Sequence, residues 1–66
     1  MKNTIRVERA KLDITQADLA EKVGVSKQTI LSIEKGKFTP SAILAMKIAR
    51  FFNVKMEDIF ELEPED

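Results

Sequence analysis

Sixty-six residues with eleven basic side chains, eleven acidic ones, no cysteine and no histidine describe one small domain, near the size at which a single core barely outweighs chain entropy, so association with another copy is a natural source of extra stability. The missing Cys and His remove disulfides, the usual zinc ligands and the commonest general base, which argues against an enzyme. No run is long and apolar enough to span a bilayer and the charged stretch Met1 to Ala10 is no signal sequence, so the expected location is the cytoplasm.

In chain order, Asn3 to Lys11 reads as a first helix with Ile5, Arg9 and Leu12 on a shared side, ending around Asp13. Thr15 is followed three residues later by Asp18, so a hydroxyl can cap the next helix while an acidic group sits near its positive end. That helix is expected from about Gln16, with Ala17, Leu19, Ala20 and Val23 on its core face, and Gly24 stops it. Val25 can plug the angle that follows. Ser26 offers an N-cap for a helix from Lys27 to Lys35, which ends at Gly36 after a basic last turn. Within it Ile30 and Ile33 point to the core, leaving Lys27, Gln28, Leu31, Ser32 and Lys35 outward.

Residues 37–41 read as a loop in which Thr39 supplies a cap and Pro40 a first-turn proline. A fourth helix then runs to about Phe52, with Asn53 as its stop. Val54-Lys55-Met56 leads into a short fifth helix from Glu57 to Phe60. The alternation in Glu61-Leu62-Glu63-Pro64 suits a short strand, for which Met1 to Thr4 is the expected partner. The fold class is therefore all-α, a single five-helix domain over residues 1–66 with a small two-stranded ribbon, and no repeats or flexible linkers.

The stretch 15–37 is two short amphipathic helices joined at a glycine, the layout of a helix-turn-helix. Here the chain resembles the Xre-type, lambda-repressor-like helix-turn-helix family, which includes the phage repressors and Cro. The resemblance is carried by Arg9, Thr15-Gln16, Leu19-Ala20, Val23-Gly24-Val25-Ser26, Ile30, Ile33-Glu34, Gly36 and Pro40-Ser41. It continues through Ala45, Lys47-Ile48-Ala49 and Ile59-Phe60, and so covers roughly residues 5 to 60. It implies DNA binding. It also implies that Gln16 grips the DNA backbone, and that Arg9 and Glu34 form a structural ion pair tying the first helix to the third.

In this motif the second helix of the pair enters the major groove N-terminus first, so residues at its start and one turn later reach base edges. Those are Lys27, Gln28 and Ser32, with Leu31 and Lys35 at the margin. Gln28 suits a bidentate contact to adenine, because its amide donates and accepts at once. Lys27 can donate to guanine or reach a phosphate. Phosphate contacts hold affinity without reading sequence. Gln16 at a helix N-terminus, where free N–H groups favour an anion, is one such candidate. Ser26, Thr29, Lys35, Lys37 and Thr39 are the others.

The net charge of zero conceals an asymmetry. Residues 1–50 carry ten basic groups against five acidic ones, a net of +5, while residues 51–66 carry one lysine against six acidic groups, a net of −5. The positive charge accompanies the expected DNA face. The acidic block can repel wrong docking poses, or be simply a solvated segment.

The fourth helix carries two apolar stripes: Ala42, Ala45, Ala49 and Phe52, and then Leu44, Ile48 and Phe51. The second is covered either by the terminal segments of the same chain or, together with Met56, Phe60 and Leu62, by a second copy, which would make residues 41–66 a homodimer interface. Short stand-alone members of the resembled family are typically dimers. Two-fold symmetry then matches two recognition helices to an inverted-repeat operator. The resulting expectation is a dimeric, sequence-specific regulator, a repressor acting by operator occupancy with no cofactor. The alternative is an antitoxin or accessory module that uses the same fold to bind a protein partner.

Overall fold

Seven elements follow one another in the computed structural model, which describes residues 1–66: β1 (Lys2–Asn3), α1 (Ile5–Leu12), α2 (Gln16–Val23), α3 (Lys27–Glu34), α4 (Ala42–Phe52), α5 (Met56–Ile59) and β2 (Phe60–Glu61). Their boundaries follow from side chains that satisfy the backbone groups a helix end leaves unpaired. Thr15 Oγ1 accepts from the Asp18 N–H at 3.0 Å and the Asp18 carboxylate accepts from the Thr15 N–H at 3.0 Å, a reciprocal capping box that starts α2. Gly24, at φ 77°, ends α2 in left-handed backbone. Ser26 Oγ caps α3 by accepting from the Thr29 N–H at 3.1 Å.

Three helix starts differ from the sequence expectation, those of α1, α4 and α5. Helix α1 begins at Ile5, not Asn3, because Asn3 is drawn into β1 and its Oδ1 takes the Ile5 N–H at 3.2 Å. Helix α4 is capped by Ser41, whose Oγ accepts from the Leu44 N–H at 3.1 Å, and not by Thr39. Pro40 therefore precedes the cap, where it is buried. Asn53 ends α4 in left-handed backbone at φ 58°.

The all-α architecture carries a two-stranded ribbon, as the alternation near the C-terminus suggested. Its strand is Phe60–Glu61, one residue earlier than expected, and α5 begins correspondingly at Met56. The pairing is antiparallel, Lys2 opposite Glu61 and Asn3 opposite Phe60.

One core lies between the helices, with α2 packed against α3 and α4. Ile5, Leu19, Ile30, Ile33, Ile48 and Ile59 are its fully buried side chains, and Val25 packs against it at the α2–α3 corner. Full burial of a side chain of this kind is worth about 1.5–3 kcal/mol, so these six dominate the apolar contribution. Two residues expected on core faces lie outside it. Leu12 is half exposed because it sits roughly 10 Å along α1 from Ile5, past the end of the core. Ala17 is exposed, since it lies about 200° round α2 from Leu19.

Both apolar stripes of α4 are used within the one chain. Ile48 is completely buried, and Leu44 and Phe51 pack half-buried against the same core. Ile48 has no surface left for a second copy, so its expected place in a dimer interface is corrected, whereas Leu44 and Phe51 keep part of their surface outward. What α4 leaves outward is Ile43, 69% exposed, and Met46, 54% exposed, with Lys47 and Arg50 beside them.

Candidate nucleic-acid interface

The N-terminus of α3 is the centre of the site. Its Ser26 cap satisfies the Thr29 N–H, while the Ile30 N–H is taken by the Ser26 carbonyl at 3.3 Å. The N–H groups of Lys27 and Gln28 have no acceptor in the chain, as expected for a first turn. Both side chains are exposed, whereas Leu31 and Ser32 on the next turn are half-buried. Lys27 and Gln28 therefore lead the helix, and Ser32 stands back from its tip. Leu31 offers an apolar edge of the kind that meets a thymine methyl group.

The hydroxyls of Ser26 and Thr29 are 2.9 Å apart. That bond consumes one of their two hydrogens. The other remains to donate outward, so the pair can still serve an anion.

Beyond α3 the chain turns sharply. Gly36 adopts φ 74°, and the Lys37 and Phe38 N–H groups both donate to the Ser32 carbonyl, at 3.0 and 3.3 Å. This turn presents Lys35, Lys37 and Thr39 as exposed side chains flanking the helix. It also presents Phe38, 48% exposed, a residue to which sequence reasoning gave no role. Its only signal in the sequence is an aromatic between Lys37 and Thr39 in a polar loop.

Behind the exposed face, Arg9 and Glu34 make a bidentate pair, Nε to Oε2 at 2.7 Å and Nη2 to Oε1 at 3.1 Å. Their side chains are 14% and 7% exposed. Arg9 Nη1 also donates to the Ile14 carbonyl at 3.2 Å, so one guanidinium joins α1, the α1–α2 turn and α3. Burial alone would push the Glu34 carboxyl up. The hydrogen bonds from Arg9 and Gln16, with the charges of Arg9 and Arg6, outweigh it and hold the group below its ordinary value.

Gln16 takes part in that network. Its Nε2 donates to Glu34 Oε1 at 3.0 Å, and the residue is half-buried at the first position of α2. One amide hydrogen is spent on Glu34 and the second is left for an outside acceptor. The residues named from the sequence thus divide into an exposed set at and beyond α3 and an inner set, Arg9, Gln16 and Glu34, that braces it. Met56, Phe60 and Leu62 line a groove beside α4, and Thr39 borders the same groove.

The comparisons with known proteins agree with this geometry. A helix-turn-helix family model matches residues 5–59. The chain is 58% identical to an uncharacterised HTH-type transcriptional regulator of Methanocaldococcus jannaschii, over the whole of both chains. It is 48% identical to the uncharacterised HTH-type transcriptional regulator YgzD of Bacillus subtilis, again over both whole chains. It is also 36% identical to the cryptic phage CTXphi transcriptional repressor RstR of Vibrio cholerae, over 83% of this chain and 47% of that protein. By the matched domain and these relatives, the chain belongs to the Xre-type helix-turn-helix family of transcriptional regulators.

Proposed function

We propose that this protein binds double-stranded DNA sequence-specifically as a homodimer on an inverted-repeat operator, and represses transcription by occupying it. The observation that carries the reading is the leading edge of α3, where exposed Lys27 and Gln28 stand on a capped helix end with free N–H groups. Lys35, Lys37 and Thr39 flank that edge, and the brace of Arg9, Gln16 and Glu34 fixes its angle. Likeness to a phage repressor favours repression. In this reading Gln28 and Lys27 read bases, with Ser32 and Leu31 one turn behind. Gln16, Ser26, Thr29, Lys35, Lys37 and Thr39 hold phosphates, as side chains of these types commonly do. Two copies related by a two-fold axis would set their α3 helices about 34–36 Å apart, one turn of DNA. No cofactor is required, and no helix is long and apolar enough to cross a membrane, which agrees with a protein working in the cytoplasm.

The test is selection of bound duplexes from a random pool, followed by anisotropy titration of the winner at several salt concentrations. The expected result is a palindromic motif and an affinity that falls log-linearly with salt, about 0.9 per phosphate neutralised. A pool that yields no motif, or binding indifferent to salt, would overturn the reading.

A further inference from the structure

The outer surface of α4 and the adjoining edge of α5 form an apolar strip with a basic flank and an acidic flank. Ile43, Met46, Met56 and Leu62 are its exposed side chains. They border a groove of about 360 Å³ lined by Pro40, Ala42, Met56, Glu57, Phe60 and Leu62. Ile43 and Met46 share a hollow with Lys47 and Arg50 on one side. Met46, Arg50 and Met56 meet in a second hollow that joins this basic edge to the groove. Glu57 stands on the far rim, at the start of the acidic segment. Lys47, Arg50 and Glu57 form no ion pair within the chain.

Resting on the dimeric function proposed for the protein, we infer that two copies meet across this strip in a crossed register, with Lys47 and Arg50 of each copy against Glu57 of the other. The reason is symmetry. In a two-fold interface, a point on one side of the axis faces the point on the opposite side of its partner. A strip with basic and acidic edges is then complementary to itself, and both charged edges find partners at once. Each basic edge then meets an acidic one, two cations against one carboxylate, in a chain whose residues 1–50 carry a net +5 and whose residues 51–66 carry a net −5. A standard interface takes about 800 Å² from each partner. That is roughly a sixth of the 4663 Å² this chain exposes.

Charge exchange tests the register. One variant carries Lys47→Glu with Arg50→Glu, and another carries Glu57→Lys; all three positions are exposed. Sedimentation equilibrium of the wild type should show a dimer at micromolar concentration. Each variant alone should dimerise at least about tenfold more weakly, as like charges meet, and an equimolar mixture should form a heterodimer within about threefold of wild-type affinity. A monomeric wild type would sink the dimer reading and this inference with it. A dimeric wild type whose variants pair equally well alone would overturn the register and leave the dimer standing. So would weakened variants that fail to rescue each other. If a variant does not fold, the wild type carries the test by itself: its dimer should loosen as sodium chloride rises from about 0.05 to about 0.3 M, because exposed pairs are screened on that scale. Dimerisation indifferent to salt over that range would overturn the register.

Discussion

Gln16 and Glu34 are joined across eighteen residues of chain by a 3.0 Å hydrogen bond from Nε2 to Oε1. The donor belongs to the outward-facing start of α2, and the acceptor is the carboxylate that also grips Arg9. If Gln16 holds a phosphate as proposed, its side chain is already oriented before DNA arrives, and binding costs it less conformational freedom.

Replacing Gln16 by Ala should weaken operator and non-operator DNA alike, by about 1 kcal/mol per site, the usual net worth of one hydrogen bond. Because glutamine is neutral, the salt slope of binding should stay unchanged. Anisotropy titrations across salt concentrations check both parts. A variant that lost discrimination between sequences would contradict a phosphate role.

Lys35→Ala and Lys37→Ala should differ from Gln16→Ala in the second respect. Each removes a cation whose binding to DNA releases a counterion, so the log–log slope should fall by about 0.9 for each phosphate no longer neutralised. Affinity should drop uniformly across sequences. An unchanged slope would take these exposed lysines out of the interface.

Gln28→Ala should act on sequence preference. Removing a bidentate hydrogen bond to a base costs about 1–3 kcal/mol on the preferred site and relaxes the requirement at one base pair of each half-site. Binding to unrelated DNA should barely change. Repeating the pool selection with the variant exposes the difference as one degenerate column per half-site, and an unaltered motif would remove Gln28 from base reading.

Glu34→Ala should fail as a folding defect. It strands the largely buried Arg9 guanidinium without its carboxylate, and breaking a buried pair on one side costs about 3–5 kcal/mol. Urea denaturation should show the loss. A variant that unfolds at the wild-type midpoint would contradict the bracing role.

The same carboxylate gives stability a pH dependence. Its acidity is increased in the folded state relative to its ordinary value of 4.5, so the unfolded chain takes up the proton first as pH falls. The stabilisation is complete above that value and declines as pH drops toward the lower folded one. Asp18 acts in the same direction, since it accepts hydrogen bonds from Thr15 in the capping box. Denaturation midpoints should therefore fall below about pH 4.5, and Glu34→Gln should flatten that part of the profile. Parallel wild-type and Glu34→Gln curves would assign the acid sensitivity elsewhere.

Local chemistry was the legible part of the sequence. Thr15 with Asp18, Gly24, Ser26 and Asn53 act within a few residues of themselves, and each marks an observed helix end. Helix α4 was harder because it is apolar on nearly every side. Ile43, Leu44, Met46 and Ile48 give no periodic contrast, so only the packing of the other helices decides that Ile48 is buried and Ile43 is not. The bond between Gln16 and Glu34 has the same origin: two ordinary polar residues meet only because α2 and α3 cross. Asn3 stood in two readings, at the start of a helix and within a strand from Met1 to Thr4, and its partners in β2 and at the end of α3 decide for the strand.

Asn3 also gives the molecule a ruler. Its Nδ2 donates to the Ile33 carbonyl at 2.8 Å, near the far end of α3, while its backbone registers opposite Phe60 in the ribbon. Helix α3 and the segment beside the α4–α5 groove are thus held by one residue. In a pair of copies joined at that groove, the span between the two inserted helices becomes a rigid length of protein. An operator whose half-sites are moved apart by a single base pair could then be followed only by bending the DNA or by pulling Asn3 off the end of α3.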